Sequence, residues 1–194
     1  MSSNRKIIID AGAHMGQSIE QLKEKYAGED FIIYSFEPHP RCFAWAKLHA
    51  AENVIVKNKA VWIEDGVIEF YCDSLDVNTP ERRFPGEASS IFKEKTKNSL
   101  PYQFGENSKI TSECFDLSSW IKKSFSKDDF IHLKMDIEGA EYEVLKKMND
   151  DGTLDYINNL DVEFHYEDIG LSKEVHNETL QMIRKHSVLL TIHD

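Results

Sequence analysis

Residues 6–18 read Lys6-Ile7-Ile8-Ile9-Asp10-Ala11-Gly12-Ala13-His14-Met15-Gly16-Gln17-Ser18, and their order decides the fold. Three successive isoleucines suit a strand buried on both faces, as in a parallel sheet covered by helices. An acid closes the run, two glycines four positions apart follow, and helix-compatible residues begin at Gln17. Strand, tight turn, helix is the reading. Gly12 gives the chain its turn and offers bare backbone to a ligand, while Gly16 lets the first helical turn pack closely. Orphan N–H groups at the helix start favour a polar or anionic group there.

Spacing narrows the ligand. The dinucleotide fingerprint G-x-G-x-x-G fails, because His14 and Gln17 occupy its second and third glycine positions. A phosphate-cradling loop fails too, since Gly16-Gln17-Ser18 lacks the lysine it requires. An acid at a strand end before a glycine turn suits a nucleoside carrying an ammonium group better than a pyrophosphate. An ordinary glycine-containing βα turn is the plain alternative.

At 194 residues the chain has the length of one domain, 1–194, with a substantial core. A net charge of -11 counts against a nucleic-acid partner, which usually meets a lysine- and arginine-rich surface. Cys42, Cys72 and Cys114 show neither metal spacing nor a disulfide framework, which points to a reducing, cytoplasmic setting. Neither a membrane-spanning run nor a secretory signal is read in the sequence.

Outward from the first unit, 19–26 reads as a helix with Ile19, Leu22 and Tyr26 inward. Phe31–Phe36 is a second buried strand, stopped by Glu37-Pro38-His39-Pro40. Pro40 suits the first turn of a helix over 41–50, and Val54–Val56 is a third strand. Residues 60–63 and 67–71 read as two strands joined by a turn. From 72 to 109 the periodicity breaks among prolines, glycines and scattered aromatics, the pattern of a variable substrate loop or lid. A helix over 116–124 follows, then a strand 130–136 ending in Asp136 and a helix from the Ile137-Glu138-Gly139-Ala140-Glu141 turn to Met148. Strand 160–165, a helix over 172–186 with Val175, Leu180 and Ile183 inward, and a strand 187–192 complete the chain. Such alternation predicts an α/β fold, a mostly parallel sheet with helices on both faces.

Ligands of such sheets sit outside the carboxyl ends of the strands. There the sequence places Asp10, Glu37, Asp136 and Glu163, with His165 just beyond. Glu37 lies about twenty residues past the glycine turn, where a carboxylate accepts the hydroxyls of a ribose. Asp10 is positioned to receive an amino group.

The segments Asp10–Gly16, Phe36-Glu37-Pro38-His39-Pro40 and Leu133-Lys134-Met135-Asp136-Ile137-Glu138-Gly139-Ala140-Glu141 resemble the FkbM-type methyltransferases. Asn58-Lys59-Ala60-Val61 and Asp161–His165 match weaker blocks of that family. Phe115-Asp116-Leu117 departs from it, standing where many relatives carry threonine-leucine-aspartate. The resemblance implies a Rossmann-like class I sandwich, here shortened at the carboxyl-terminal strand, and dependence on S-adenosylmethionine. It implies transfer to a hydroxyl of a saccharide or glycan, and attachment to a larger glycan-modifying polypeptide would explain the chain's length. Methylation of nucleic acid or another small molecule, and nucleoside binding without catalysis, are the competing readings.

Carried onto this chain, the cofactor-binding set is Asp10, Gly12, Ala13, His14, Gly16, Gln17, Ser18, Glu37, Pro38, Ala60 and Asp136. Gly86-Glu87-Ala88-Ser89-Ser90 matches a small-residue stretch that lines the acceptor side. A hydroxyl nucleophile is helped by a nearby base: His165 is the first candidate, Asp136 the second and His14 the third. Glu138 faces the substrate from its turn, whereas Glu141 serves mainly the helix dipole. Asp136, Glu163 and His165 are the ligand candidates for magnesium or manganese, should a divalent metal take part. An exposed final strand suggests pairing in a homodimer.

Overall fold

In the computed structural model, which describes residues 4–72, 89–97, 100–101 and 109–193, the isoleucine run becomes strand β1 (Lys6–Ala11). Its isoleucines are wholly buried. They alternate between two cores, Ile7 and Ile9 facing one and Ile8 the other. This is what a strand covered on both sides requires.

Then come α1 (Gln17–Lys25), β2 (Ile32–Phe36), α2 (Pro40–Ala46) and β3 (Val54–Lys57), with His39 capping α2 and Pro40 in its first turn. After β4 (Ala60–Trp62) and β5 (Gly66–Tyr71) lie two short strands, β6 (Thr96–Lys97) and β7 (Leu100–Pro101), then β8 (Lys109–Asp116). The chain continues through α3 (Leu117–Ser124), β9 (Phe130–Met135), α4 (Glu141–Asp150), β10 (Asn159–Glu163), α5 (Lys173–Ile183) and β11 (Leu189–His193).

The main sheet has the order β11-β10-β9-β1-β2-β3, and every pairing in it is parallel. Ile19, Leu22 and Ala46 bring α1 and α2 onto one face. Leu117, Ile121, Val144, Leu145 and Ile183 bring α3, α4 and α5 onto the other. The strand order reverses between β1 and β9, so the loops leaving those two strands diverge and open a crevice.

Three readings need correction. β4 and β5 do not form a hairpin: β8 lies between them, parallel to β4 and antiparallel to β5. The sequence reading missed β8, where Asp116 ends the strand and caps α3 by accepting a hydrogen bond from Ser119 N at 2.9 Å. Val175 faces solvent, 39% exposed, while Leu180 and Ile183 carry the buried side of α5. The loop reading of 72–109 falls largely outside the described residues, as do Gly86, Glu87 and Ala88. Residues 89–97 are packed against the sheet's carboxyl rim.

Candidate active site

The glycine turn is built around a buried acid. Asp10 is wholly buried and its Oδ2 accepts hydrogen bonds from Ser18 Oγ (2.9 Å) and Ser35 Oγ (2.7 Å). Gly12 N and Ala13 N both donate to Phe36 O at 3.0 Å, tying the turn to the end of β2. Gly12 has φ +85, and a Cβ there would lie 1.8 Å from the Asp136 carbonyl oxygen. The close neighbour that demands glycine is therefore the loop after β9. Gly16, with φ +101, fits against His49 and Ala46 as close helix packing requires.

Above this turn, over the carboxyl ends of β1 and β9, lies a cavity of about 760 Å³. That is within the roughly 300–1,000 Å³ range of small-molecule sites. Gly12, Ala13, His14, Gln17, Ser18, Glu37, Pro38, Ala60 and Asp136 line it, joined by Glu138, Glu163 and His165. Asp10 and Gly16 lie beneath the wall and brace it.

At the β2 end sits Glu37, 7% exposed, in a cavity whose apolar lining includes Ala60, Val61, Ile68 and Phe70. Its two oxygens each accept one backbone N–H, from His39 and from His14, both at 2.8 Å. Burial nonetheless pushes its carboxyl up to about 8, outweighing those hydrogen bonds. A carboxylate has about four acceptor sites, so capacity remains for donors from the cavity.

At the other end the turn after β9 and the segment after β10 converge. His165 lies two residues past β10. Its Nδ1 is 3.2 Å from Glu141 Oε1, and its Nε2 is 3.5 Å from Glu138 Oε2, 3.8 Å from Glu163 Oε1 and 4.0 Å from Asp136 Oδ1. Burial lowers its proton affinity, but the Glu141 hydrogen bond and the Glu141 and Glu138 charges win and raise it to about 9. Glu141 does more than complement the α4 dipole. Wholly buried, it also accepts hydrogen bonds from Ile137 N and Gly139 N, and so shapes the turn that carries Glu138.

Two functional groups escaped the sequence reading. Lys134 extends from β9 to Gly12 O (2.9 Å), Asp136 Oδ2 (3.4 Å) and Asp10 Oδ1 (3.7 Å). Its position two residues before Asp136 was the available signal, since strand residues two apart share a face. Lys95 meets Glu138 Oε2 from the long excursion, where no periodicity marks it. One ligand atom from each of Asp136, Glu138 and His165 lies within 4.8 Å of the others. Glu138 thus enters the trio of potential metal ligands, with Glu163 at its edge.

The model of the methyltransferase FkbM domain matches residues 10–187. The chain belongs to the FkbM methyltransferase family. That family is one of S-adenosylmethionine-dependent methyltransferases of the Rossmann-like class, and the parallel sheet of this chain agrees with that fold. A crystal structure described as methyltransferase FkbM from Methylobacillus flagellatus KT aligns with a TM-score of 0.50 at 14% identity, a likeness of fold. The alignment covers 94% of this chain, which spans 38% of the length of that FkbM structure. No curated protein matches the chain significantly. Among the described residues, no helix is long and apolar enough to cross a membrane.

Proposed function

We propose that this FkbM chain transfers the methyl group of S-adenosylmethionine to a hydroxyl oxygen of a saccharide or glycan. One observation carries the reading: a single cavity runs from the buried Glu37 carboxylate, across the glycine turn, to a rim of Asp136, Glu138 and His165. The wall suits the cofactor. Glu37 offers acceptor capacity to a ribose diol, and Ala60, Val61 and Phe70 offer apolar surface to an adenine.

S-adenosylmethionine, when bound, supplies an electrophilic methyl group on a sulfonium. The chain's own residues bind, align and move the proton. Glu37 holds the nucleoside, and the turn from Gly12 to Ser18 fixes the methionine end. Alignment of the acceptor hydroxyl behind the methyl group supplies much of the rate. Asp136, half-buried beside Lys134, is assigned to take the acceptor's proton. His165 keeps its own proton near neutrality and orients the carboxylates around it. Glu138 and Glu163 accept hydrogen bonds from other hydroxyls of the acceptor.

A magnesium or manganese ion would draw on Asp136, Glu138 and His165. Lys134 and Lys95 already neutralise two of these groups, so the proposed reaction proceeds without a divalent metal. The acidic rim and the overall charge favour a saccharide over nucleic acid. Cys42, Cys72 and Cys114, all buried and in no disulfide, agree with a reducing, cytoplasmic setting. Edge strand β11, with Leu189 66% exposed, is the proposed contact for a homodimer.

The test is calorimetric titration with S-adenosylhomocysteine, followed by transfer of labelled methyl from S-adenosylmethionine to neutral glycosides. One-to-one binding, much weakened in Glu37→Ala, with label appearing in a glycoside, is expected. Absence of binding by the folded chain would overturn the proposal. Binding without transfer to any alcohol would mark a nucleoside-binding module.

A further inference from the structure

Lys95 is 2% exposed and lies on the cavity wall. Burying an ammonium is costly unless a carboxylate compensates it closely, so its partner matters. That partner is Glu138, whose backbone is left-handed at φ +59, a conformation rare for a residue with a long side chain. Segment 89–97 grips this residue twice. Lys95 meets its carboxylate, and Ser90 Oγ donates to its carbonyl oxygen at 2.6 Å. The same segment is anchored nearby, where Thr96 N donates to Asp168 O at 2.7 Å. The Phe92 ring packs so closely on Gly139 that a Cβ there would lie 3.1 Å from it.

The chain of contacts continues into the rim. The Glu138 oxygen that meets Lys95 is 3.5 Å from His165 Nε2, and His165 Nδ1 is 3.2 Å from Glu141. Charges alternate along the series Lys95, Glu138, His165, Glu141. Lys95 comes from the excursion between β5 and β8, whereas the other three follow β9 and β10.

We propose that Lys95 is a positioning residue for methyl transfer, holding Glu138 against His165 and so fixing the acceptor wall of the cavity. It acts through Glu138 and leaves cofactor binding to the Glu37 end. The inference rests on the methyltransferase reading above. It also makes the excursion part of the reaction geometry: a segment that shapes the acceptor pocket sets the catalytic rim at the same time.

The experiment compares wild type, Lys95→Met, Lys95→Arg, Glu138→Gln and Lys95→Met/Glu138→Gln. Each is titrated with S-adenosylhomocysteine, assayed for methyl transfer to neutral glycosides, and labelled with 15N-histidine to follow the His165 ring resonances in the S-adenosylhomocysteine complex. Lys95→Met should bind S-adenosylhomocysteine within about twofold of wild type while kcat falls at least tenfold and the His165 resonances shift. These magnitudes are those of a lost charge-assisted contact, roughly tenfold or more. Lys95→Arg should restore most of both. In the double variant, loss of Lys95 should add nothing to loss of Glu138, and removal of both charges keeps the protein foldable if Glu138 alone is too costly to bury.

Turnover and His165 resonances unchanged in Lys95→Met would overturn the proposal, as would an equal loss of S-adenosylhomocysteine binding. If no glycoside is methylated, the resonances decide. Failure of the folded wild type to bind S-adenosylhomocysteine would overturn the methyltransferase reading, and the role of Lys95 with it.

Discussion

If Glu37 accepts the ribose hydroxyls as a carboxylate, cofactor affinity must rise with pH. In the ligand-free protein burial pushes this group up to about 8, against the two backbone N–H groups that favour its charge. Near neutrality most of it is therefore protonated, and a diol donating two hydrogen bonds draws it into the ionised form. Binding then expels a proton, and apparent affinity should fall by about tenfold for each pH unit below about 8. Between pH 8.5 and pH 6 the loss is on the order of 100-fold.

Stability should run the other way. An acid whose folded proton affinity exceeds its unfolded one makes the native state bind more protons, so stability is lost as pH rises. For Glu37 the window runs from about 4 to about 8, and the loss approaches about 5 kcal/mol at its upper end. Titration calorimetry at pH 6, 7, 8 and 8.5 tests the affinity, with S-adenosylhomocysteine and with adenosine, which lacks the titrating amino group. Repeating the pH 6.5 titration in buffers of different ionisation heat counts the released proton. Glu37→Gln should bind weakly with a flat profile. A flat or falling wild-type profile, or an equal slope in Glu37→Gln, would refute the assignment of Glu37 to the ribose.

Other predictions follow from the turn and the rim. Gly12 and Gly28 share a left-handed backbone, φ +85 and +83, but a Cβ at Gly28 meets nothing within 4 Å. Gly28→Ala should lower Tm by about 2–8 °C, the conformational cost alone, and Gly12→Ala by at least twice as much. Equal shifts in thermal melts would show that the Asp136 carbonyl imposes no constraint. Glu141→Ala should cost about 3–5 kcal/mol in urea unfolding, because Ile137 N, Gly139 N and His165 lose a buried acceptor. Glu141→Gln, which keeps one acceptor oxygen, should cost clearly less. Methyl transfer should survive EDTA, and activity lost to the chelator and restored by manganese would reverse the metal-free assignment.

What the sequence disclosed was local, and so was what it concealed non-local. The β1–turn–α1 unit could be read because its hydrophobic run, its glycines and its helix start lie within thirteen residues. Glu37 and Asp136 could be read because strand ends converge by topology, whatever the side chains do. β8 could not, since its pairing with β4 and β5 depends on residues 38 to 54 positions away. Nor could the state of His165. Its ordinary proton affinity makes it the first choice of base, yet its state is set by Glu141 and Glu138 from another element. Lys95 is the extreme case, a charge inside an unpatterned excursion whose significance appears only when Glu138 is beside it. Position at this rim comes from the backbone pattern, whereas protonation and electrostatic balance come from contacts between elements. Residue type in sequence therefore names the carboxylates and the histidine of the rim, and only their mutual geometry supports the proposed proton transfer to Asp136 and the proposed positioning role of Lys95.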